Sequence, residues 1–482
     1  MSNYILCGMQ FGDEGKGTFV DYLTHKNDTT YIVKYNGGSQ ASHTVSTPEG
    51  TIHKFSQLGS GMFLEKCHTF LSENMVINLN NLVAEMQAFG EKAGISFSEL
   101  RNRIHIHENC LLVTPYHKLS NKLREFSMGA NRRGTVGTGV SEVMYIHSTS
   151  SAPISLKVRD IYKSTNNTQI YRILYNLQEY VKKFYLENQT VIWKNVPENM
   201  KIDLQNEITF LLSDESYIAI GSGYVHEFKF APDETNFENC VYSHFPSNLL
   251  NCNTVFEGSQ GLLIDHTYGI KPNTTFLDTT NAYAKQICES SNCVHNIGIA
   301  KAFSSRHGLG IFPTEDVELS KGISDSNQEE TFWNGKIRFG WFDAVLLKYA
   351  QTINQVESLY LSSLDKLDGF GKIKICISYL YTGIIDNKFA EIFEYTVKPN
   401  GLIFISAIKK SDDNLGKYLK ECCPIYLCVD GWMSDISKVT NASELPEKCI
   451  QYIRLIEIFT GIPISIVSVG PTRKNKIILS PE

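Results

Sequence analysis

Short apolar runs recur along the chain and alternate with stretches of helical spacing, and together they predict its main elements. The runs predict strands over residues 4–7, 31–35, 69–71, 254–256, 296–299, 358–361, 373–377 and 464–469. Helices are predicted between them, among others over 81–90 and 447–459. This alternation is typical of the α/β class, with a mostly parallel central sheet flanked by helices on both faces. In such a sheet, ligands bind beyond the carboxyl ends of the strands.

One long segment, residues 160–196, is predicted to be largely helical. Its apolar positions fall on one helical face, which is far more often a core stripe than a ligand site. They are Ile170, Ile173, Leu174, Leu177, Val181 and Phe184. Residues 236–253 and 381–413 have a less regular pattern, and we interpret both as surface insertions.

Composition narrows the class of protein. The chain of 482 residues is 42% hydrophobic, ample for a buried core, and its net charge of −6 gives no reason to expect nucleic-acid binding. Its 12 cysteines form no C-x-x-C pair and lack histidines at zinc spacing. No apolar run reaches the ~20 residues of a membrane span, and the first residues enter a strand without a signal peptide. We therefore expect a reduced, soluble, cytoplasmic protein that binds neither nucleic acid nor membrane.

The most informative segment is residues 12–17, Gly-Asp-Glu-Gly-Lys-Gly, between the first predicted strand and a helix predicted from residue 18. A glycine turn that leads into a helix presents backbone N–H groups to an anion, and Lys16 can reach phosphates. The segment is not a Walker A motif, because Gln10 stands at its first glycine and Gly17 at its Ser or Thr.

Two acids inside an anion-binding loop need a chemical reason. A carboxylate at Asp13 or Glu14 is expected if it binds Mg²⁺ or takes a proton during phosphoryl transfer. The alternative is a solvated acidic turn with no chemical role.

A second glycine turn, residues 36–44, follows the strand predicted over 31–35. Together the two turns resemble those of the adenylosuccinate synthetase family, which carries Gly-Asp-Glu-Gly-Lys-Gly and then Gly-Gly-x-Asn-Ala-Gly-His-Thr. Further segments resemble the family in its own order along nearly the whole chain: 256–261, 301–306, 312–315, 340–343, 364–369, 424–432 and 468–473. The resemblance implies a P-loop-NTPase-like ligase built as one large domain, 1–482, with surface insertions around 160–250 and 381–413.

The family joins IMP to L-aspartate and consumes GTP. The hypoxanthine O6 is phosphorylated first, because a ring oxygen is a poor leaving group until it becomes a phosphate ester. Removal of the N1 proton builds the negative charge on O6 that this step needs. The resemblance implies a catalytic set with Asp13 as the base, His43 as the acid that stabilises the transferring phosphoryl group, Lys16 at the phosphates and Gln260 at the 6-oxopurine.

The same resemblance implies the remaining contacts. Expected GTP contacts are Gly12, Glu14, Gly15, Lys16, Gly17, Ser42, His43, Thr44, Ser363, Asp365, Gly470 and Pro471. Expected IMP contacts are Asp13, Gln40, Thr135, Gln260 and Thr275, and expected L-aspartate contacts are Lys336 and Arg338. Mg²⁺ is the implied cofactor, with Asp13 and the Ser42 carbonyl as its ligands. A homodimer is the expected assembly.

Several departures from the family pattern bear on the choice of substrate. Val136 stands where the family has a phosphate-binding threonine, and Ser363 where it has a lysine beside guanine. No arginine occurs near 150–152, where the family's arginine crosses the dimer interface to the IMP phosphate; Arg132 or Arg133 could substitute. The loop 332–339 is one residue shorter, with Trp333 and Asn334 in place of a threonine pair. It keeps Lys336 and Arg338, and lysine matches a carboxylate less well than arginine does.

Three functional hypotheses follow from these residues. The usual reaction of IMP with L-aspartate is the first. The second is a related ligase with another acceptor, GMP or dGMP as in certain phage relatives, or another amine donor; those phage relatives typically lack the acid at Asp13. The third is a nucleotide-binding paralogue without ligase activity. Asp13, His43 and Gln260 together argue against it, because a pure binder has no need of a base and an acid beside O6.

Overall fold

The computed structural model describes residues 2–135, 137–150, 154–230, 237–290, 293–323, 332–333 and 335–479. The chain folds into two compact units. The first unit comprises Met1–Thr30, His43–Lys54 and Leu250–Glu482, and the second comprises Tyr31–Ser42 and Phe55–Leu249. The organisation as one large domain with insertions around 160–250 and 381–413 stays a prediction.

The helices begin and end where local capping chemistry allows. Asn78 caps one helix by accepting from the backbone N–H of Asn81, and Asp343 caps another through the N–H of Leu346. No helix in the described ranges is long and apolar enough to cross a membrane. In chain order they are α1 (Lys16–Lys26), α2 (Leu79–Ala93), α3 (Phe97–Asn102), α4 (Pro115–Met128), α5 (Val140–Thr149), α6 (Val158–Tyr162), α7 (Thr168–Asn195), α8 (Lys201–Leu211), α9 (Ser216–Val225), α10 (Ala282–Ile287), α11 (Val317–Gly322), α12 (Ala344–Asn354), α13 (Asn387–Ile392), α14 (Leu415–Leu419) and α15 (Glu447–Thr460).

Most strands are short and buried, as expected for a sheet covered by other elements. In chain order they are β1 (Asn3–Gly8), β2 (Tyr31–Lys34), β3 (Gly37–Gly38), β4 (His43–Ser46), β5 (Ile52–Phe55), β6 (His68–Leu71), β7 (Met75–Ile77), β8 (Ile104–His107), β9 (Leu111–Leu112), β10 (Val241–Tyr242), β11 (Thr254–Glu257), β12 (Val294–Lys301), β13 (Ser304–His307), β14 (Ile337–Gly340), β15 (Phe342–Asp343), β16 (Ser358–Ser362), β17 (Lys372–Tyr381), β18 (Phe393–Val397), β19 (Ile403–Ile408), β20 (Cys422–Asp430), β21 (Ile464–Ser468) and β22 (Lys476–Ile478).

The first unit is built on a parallel sheet in the order β11-β1-β12-β16-β21, and β22 adds antiparallel to β21. β1 is buried along its whole length and pairs with β11 on one side and with β12 on the other. The core against this sheet includes Leu359 and Leu361 from β16 and Ile453 and Ile456 from α15. Strand pairing and this core together hold the ends of the strands in place.

A second sheet in the first unit is antiparallel for the most part. β17 pairs with β20 along nearly its whole length and with β19 at its end, and β18 pairs with β19. The strand predicted over 373–377 thus lies in β17, outside the parallel sheet. Residues 381–413, which the sequence pattern left irregular, include α13, β18 and β19.

The second unit has its own parallel strands, in the order β10-β8-β6-β2. The helical segment predicted over 160–196 breaks at residues 163–167 between α6 and α7. The predicted stripe on α7 is buried from Ile170 to Val181, while Phe184 is half-buried. The remaining predicted strands and helices all lie within observed elements to within a residue or two, and the predicted α/β class with a mostly parallel sheet is confirmed.

Candidate active site

Residues predicted to act on a nucleotide gather at the carboxyl ends of neighbouring parallel strands in the first unit. Asp13 follows β1 and Gln260 follows β11, and beside them lies Lys301, the last residue of β12, which had no predicted role. Ser363 follows β16, and Gly470 follows β21. This edge of a parallel sheet is where α/β proteins bind their ligands.

The glycine loop between β1 and α1 has a left-handed backbone at several positions. Gly15, which precedes α1, has φ 80° and ψ 27°, and no side chain of the described chain caps that helix. Asp13 itself has φ 59°, a conformation that aspartate tolerates better than most residues. The helix begins at Lys16, two residues before the predicted start, so the Lys16 and Gly17 amides belong to the first turn. The backbone N–H groups of such a first turn are suited to bind an anion, as the sequence predicts.

Glu14 is directed into this loop. Its Oε1 accepts from the backbone N–H groups of Gln10 (3.1 Å) and Gly12 (2.9 Å), and its Oε2 pairs with Lys16. The side chain is fully buried, and a Cβ at Gly261 would collide with the carboxylate. The second acid of the loop therefore stabilises the loop itself, while its predicted contact with GTP stays a prediction.

Lys16 links the glycine loop to the turn after β11. Besides pairing with Glu14, its Nζ donates to the backbone carbonyl of Gln260 at 2.6 Å. Its side chain is 2% exposed. The lysine thus lies at the predicted phosphate site with its ammonium group already held by two acceptors.

Asp13 forms an ion pair with a lysine from the neighbouring strand. Its Oδ2 accepts from Lys301 Nζ at 2.9 Å, and 26% of the Asp13 side chain stays exposed. Burial works to raise the pKa of Asp13, but Lys301, His307 and Lys16 together hold it below its usual value. The carboxylate is therefore ionised near neutral pH and fits a magnesium ligand, since Mg²⁺ is usually bound by one or two carboxylates plus phosphates.

His43, at the start of β4, contacts a buried acid at the end of β11. Its Nδ1 lies 2.5 Å from Oε1 of Glu257, which is fully buried. The sequence analysis did not single out Glu257. An acid that closes the apolar run 254–256, inside a segment resembling the family, was the available signal.

Three of the predicted IMP contacts carry buried polar atoms without a hydrogen-bond partner among the described residues. They are Oε1 of Gln260 and Oγ1 of Thr275 in the first unit, and both amide atoms of Gln40 in the second. Buried polar atoms are normally paired, so an unpaired one suits a ligand contact. Thr135, in the second unit, instead hydrogen-bonds with Asn121 (3.0 Å).

The two predicted aspartate contacts differ in environment. Arg338 donates to the carbonyls of Gly308 (3.0 Å) and Gly310 (2.9 Å) and to Oε2 of Glu315 (2.7 Å), so it fixes the turn after β13. Lys336 is exposed. A third cation, Arg306, is 2% exposed, and burial, with Arg338 adding to it, lowers its pKa to about 9.

The predicted guanine contacts lie on two adjacent turns. Ser363 has φ 59° and precedes the turn Leu364–Leu367, in which burial raises the pKa of Asp365. Lys476 on β22 is buried and donates to the carbonyls of Gly470 (3.4 Å) and Thr472 (2.9 Å), which holds the segment around Pro471 in place.

The other predicted contacts are placed as follows: Gly12 and Gly17 are buried, Thr44 is half-buried on β4 in the first unit, and Ser42 is exposed in the second unit. No cluster of metal-binding side chains with three or more members occurs in the described ranges. Val136, Asn334 and residues 151–153 lie outside the described residues.

Comparison with known proteins decides the family. A model of the adenylosuccinate synthetase family matches residues 5–220 and 247–477. The chain belongs to this family. The adenylosuccinate synthetase of Geobacillus kaustophilus is 30% identical over 486 residues, covering 98% of each chain. That of Bacillus subtilis is 28% identical over 487 residues, covering 99% of this chain and 98% of the relative.

Solved structures of the family type share the fold. The fully ligated adenylosuccinate synthetase of Plasmodium falciparum matches with a TM-score of 0.74 at 21% identity, covering 99% of each chain. The succinoaminodeoxyadenylate synthetase of cyanophage S-2L, bound to dGMP and dATP, matches at 0.54 and 12% identity, covering 100% of this chain and 96% of that one. The predicted family, and with it the predicted class of GTP-dependent ligase, is confirmed.

Proposed function

We propose that this chain is an adenylosuccinate synthetase, which uses GTP to join IMP and L-aspartate and releases GDP and phosphate. The observation that carries the proposal is the gathering of Asp13, Gln260 and Lys16 at one edge of the sheet, with His43 held by Glu257. Family membership supports the same reaction.

The first step transfers the γ-phosphoryl group of GTP to O6 of IMP. The N1 proton passes to Asp13 as O6 bonds to phosphorus, and GDP leaves with the electrons of the broken phosphorus–oxygen bond. Gln260 is suited to hold the purine, because its buried Oε1 has no partner among the described residues. With Nδ1 of His43 held by Glu257, the other ring nitrogen, Nε2, is the atom we assign to the transferring phosphoryl group.

In the second step the amine of L-aspartate attacks C6 and loses a proton, the C6–O6 bond breaks, and inorganic phosphate leaves carrying O6. Lys336 and Arg338 are the proposed partners of the aspartate carboxylates. Asp13 and the Ser42 carbonyl are the proposed ligands of Mg²⁺, which would neutralise phosphate charge during the transfer. We also propose that the protein is cytoplasmic and forms a homodimer. Sedimentation at working concentrations would test the homodimer.

The test is a substrate matrix with phosphate release as the readout. GTP or ATP is combined with IMP, GMP or dGMP and with L-aspartate or other amino acids, and the Asp13→Asn variant serves as the inactive control. We expect release only with GTP, IMP and L-aspartate together. Release with GMP or dGMP, or with another amine, would replace the proposed substrates. If both nucleotides bind but no amine supports release, the chain is a nucleotide-binding paralogue.

A further inference from the structure

We propose that Lys301 is a positioning residue for Asp13, which holds the catalytic carboxylate in one orientation and balances its charge from inside the protein. The inference rests on the proposed function, because it takes Asp13 as the group that accepts the N1 proton. No role was assigned to Lys301 from the sequence.

The two partners of this ion pair differ in their access to solvent. The Lys301 side chain is 5% exposed, whereas 26% of the Asp13 side chain is exposed. The ammonium group therefore approaches Asp13 from the interior. This arrangement suits a support for a reacting group better than a surface ion pair, since exposed pairs have little energetic effect.

Lys301 is itself held at both ends. Its Nζ also lies 3.2 Å from Oγ of Ser305 and 5.5 Å from the centre of the Phe303 ring. Its backbone N–H donates to Oε1 of Gln10 at 3.0 Å, and the same glutamine donates through Nε2 to the carbonyl of Phe303 at 3.2 Å. A residue of the glycine loop thus fixes the strand end from which Lys301 reaches Asp13.

Gln10 explains why this loop departs from the Walker A pattern. A glycine at position 10 would have no side chain to bind the end of β12. The two hydrogen bonds that hold the loop against the segment around Lys301 would then be lost. The backbone of Asp13 is in the left-handed region, so its side-chain direction depends on such contacts. The carboxylate is consequently set by its own loop and by the neighbouring strand.

The contacts of Asp13 predict what the loss of Lys301 does. Lys301 Nζ donates to Oδ2 of Asp13 at 2.9 Å, while Lys16 pairs with Glu14. Without Lys301 the carboxylate loses this contact with the end of β12, and its orientation is no longer held from that side. Misplacing a reacting group by about 1 Å can cost about 10²-fold in rate.

The test is the separate measurement of kcat and KM for phosphate release in Lys301→Met, which keeps the length of the side chain and removes its charge. We expect kcat to fall about 10- to 10²-fold while the KM values for GTP and IMP change little, and we expect Lys301→Arg to restore much of the parent kcat. Lys374→Met is the matched control, because it removes an ion pair with Asp316 (3.4 Å) elsewhere in the first unit. An unchanged kcat in a folded Lys301→Met variant would overturn the proposal.

A second measurement does not depend on turnover. In crystal structures of the parent and of Lys301→Met, we expect the Asp13 carboxylate to face Lys301 in the parent and to take a different orientation in the variant. An Asp13 side chain with the same orientation in both would overturn the proposal. A parent protein without ligase activity, in which the loss of Lys301 still reorients Asp13, would refute the proposed reaction alone.

Discussion

His43 and Glu257 form a close pair in which Nδ1 of the imidazole lies 2.5 Å from the carboxylate oxygen. The acid ends β11 and is fully buried, while the histidine begins β4. A buried carboxylate at Nδ1 fixes the orientation of the ring and favours a proton on Nδ1. The pair therefore supports the proposed assignment of Nε2 to the transferring phosphoryl group.

Glu257→Gln tests this relationship. The amide keeps the size of the side chain but removes the charge that stabilises a protonated imidazole, so kcat should fall about 10²-fold or more. The KM for GTP should change little, because His43 keeps its place. Steady-state kinetics give both values, and a kcat near that of the parent would contradict the role of the pair.

Asp13→Asn should abolish phosphate release while leaving nucleotide binding measurable. The amide keeps the shape of the carboxylate but cannot accept the N1 proton, and loss of a general base typically costs about 10²–10⁴-fold in rate. Single-turnover phosphate release measures the rate, and equilibrium binding of GTP and IMP is the control. Activity close to that of the parent would refute the assignment.

Asp365→Asn should weaken GTP more than ATP, because a carboxylate that accepts two N–H groups of guanine is lost. Since burial raises the pKa of Asp365, GTP binding by the parent should also weaken as the solution becomes mildly acidic. In the variant this acidic weakening should disappear. Competition binding at several pH values checks both points, and equal affinity of the parent for ATP and GTP would refute the guanine preference.

Arg338→Leu should raise the KM for L-aspartate steeply or stop turnover, with GTP and IMP binding nearly intact. Because Arg338 also bonds two carbonyls of the turn 308–310, the variant should lose stability as well. Lys336→Leu is the matched comparison. Because Lys336 is exposed, its loss should raise the KM for L-aspartate without lowering the stability. L-Aspartate use by the parent should be strongly salt-sensitive. An unchanged KM in both variants would place the aspartate contact elsewhere.

Lys476→Met should stabilise the protein most at low pH. Burial lowers the pKa of Lys476 to about 7, so between this value and the unfolded value the unfolded chain binds more protons and stability rises with pH. The difference in free energy of unfolding between the variant and the parent should therefore narrow by roughly 2 kcal/mol between pH 7 and pH 9. Urea unfolding measures it, and Lys474→Met, at an exposed neighbour, should show no such trend. A difference in stability that stays constant with pH would contradict the lowered pKa of Lys476.

Local sequence determined most of the secondary structure and the position of the glycine loop. Apolar runs located β1, β11, β12, β16 and β21, because each is a short buried strand whose pattern depends on its own residues. The order of the motifs also indicated the family, which the comparisons confirmed. The sequence pattern predicts the start of α1 two residues late, since the glycines that open the helix are poor helix formers.

Tertiary structure alone decided how the charged groups pair. Glu14 with Lys16 lies within one loop, but Asp13 with Lys301 and His43 with Glu257 join residues 288 and 214 positions apart. No local pattern encodes such contacts, because they arise from how segments far apart in the sequence pack against one another. The same holds for Arg338, which the sequence offered as a ligand group and the fold uses to bind two backbone carbonyls. Sequence supplied the chemical groups, and the packing of distant strands and turns set their partners and their burial.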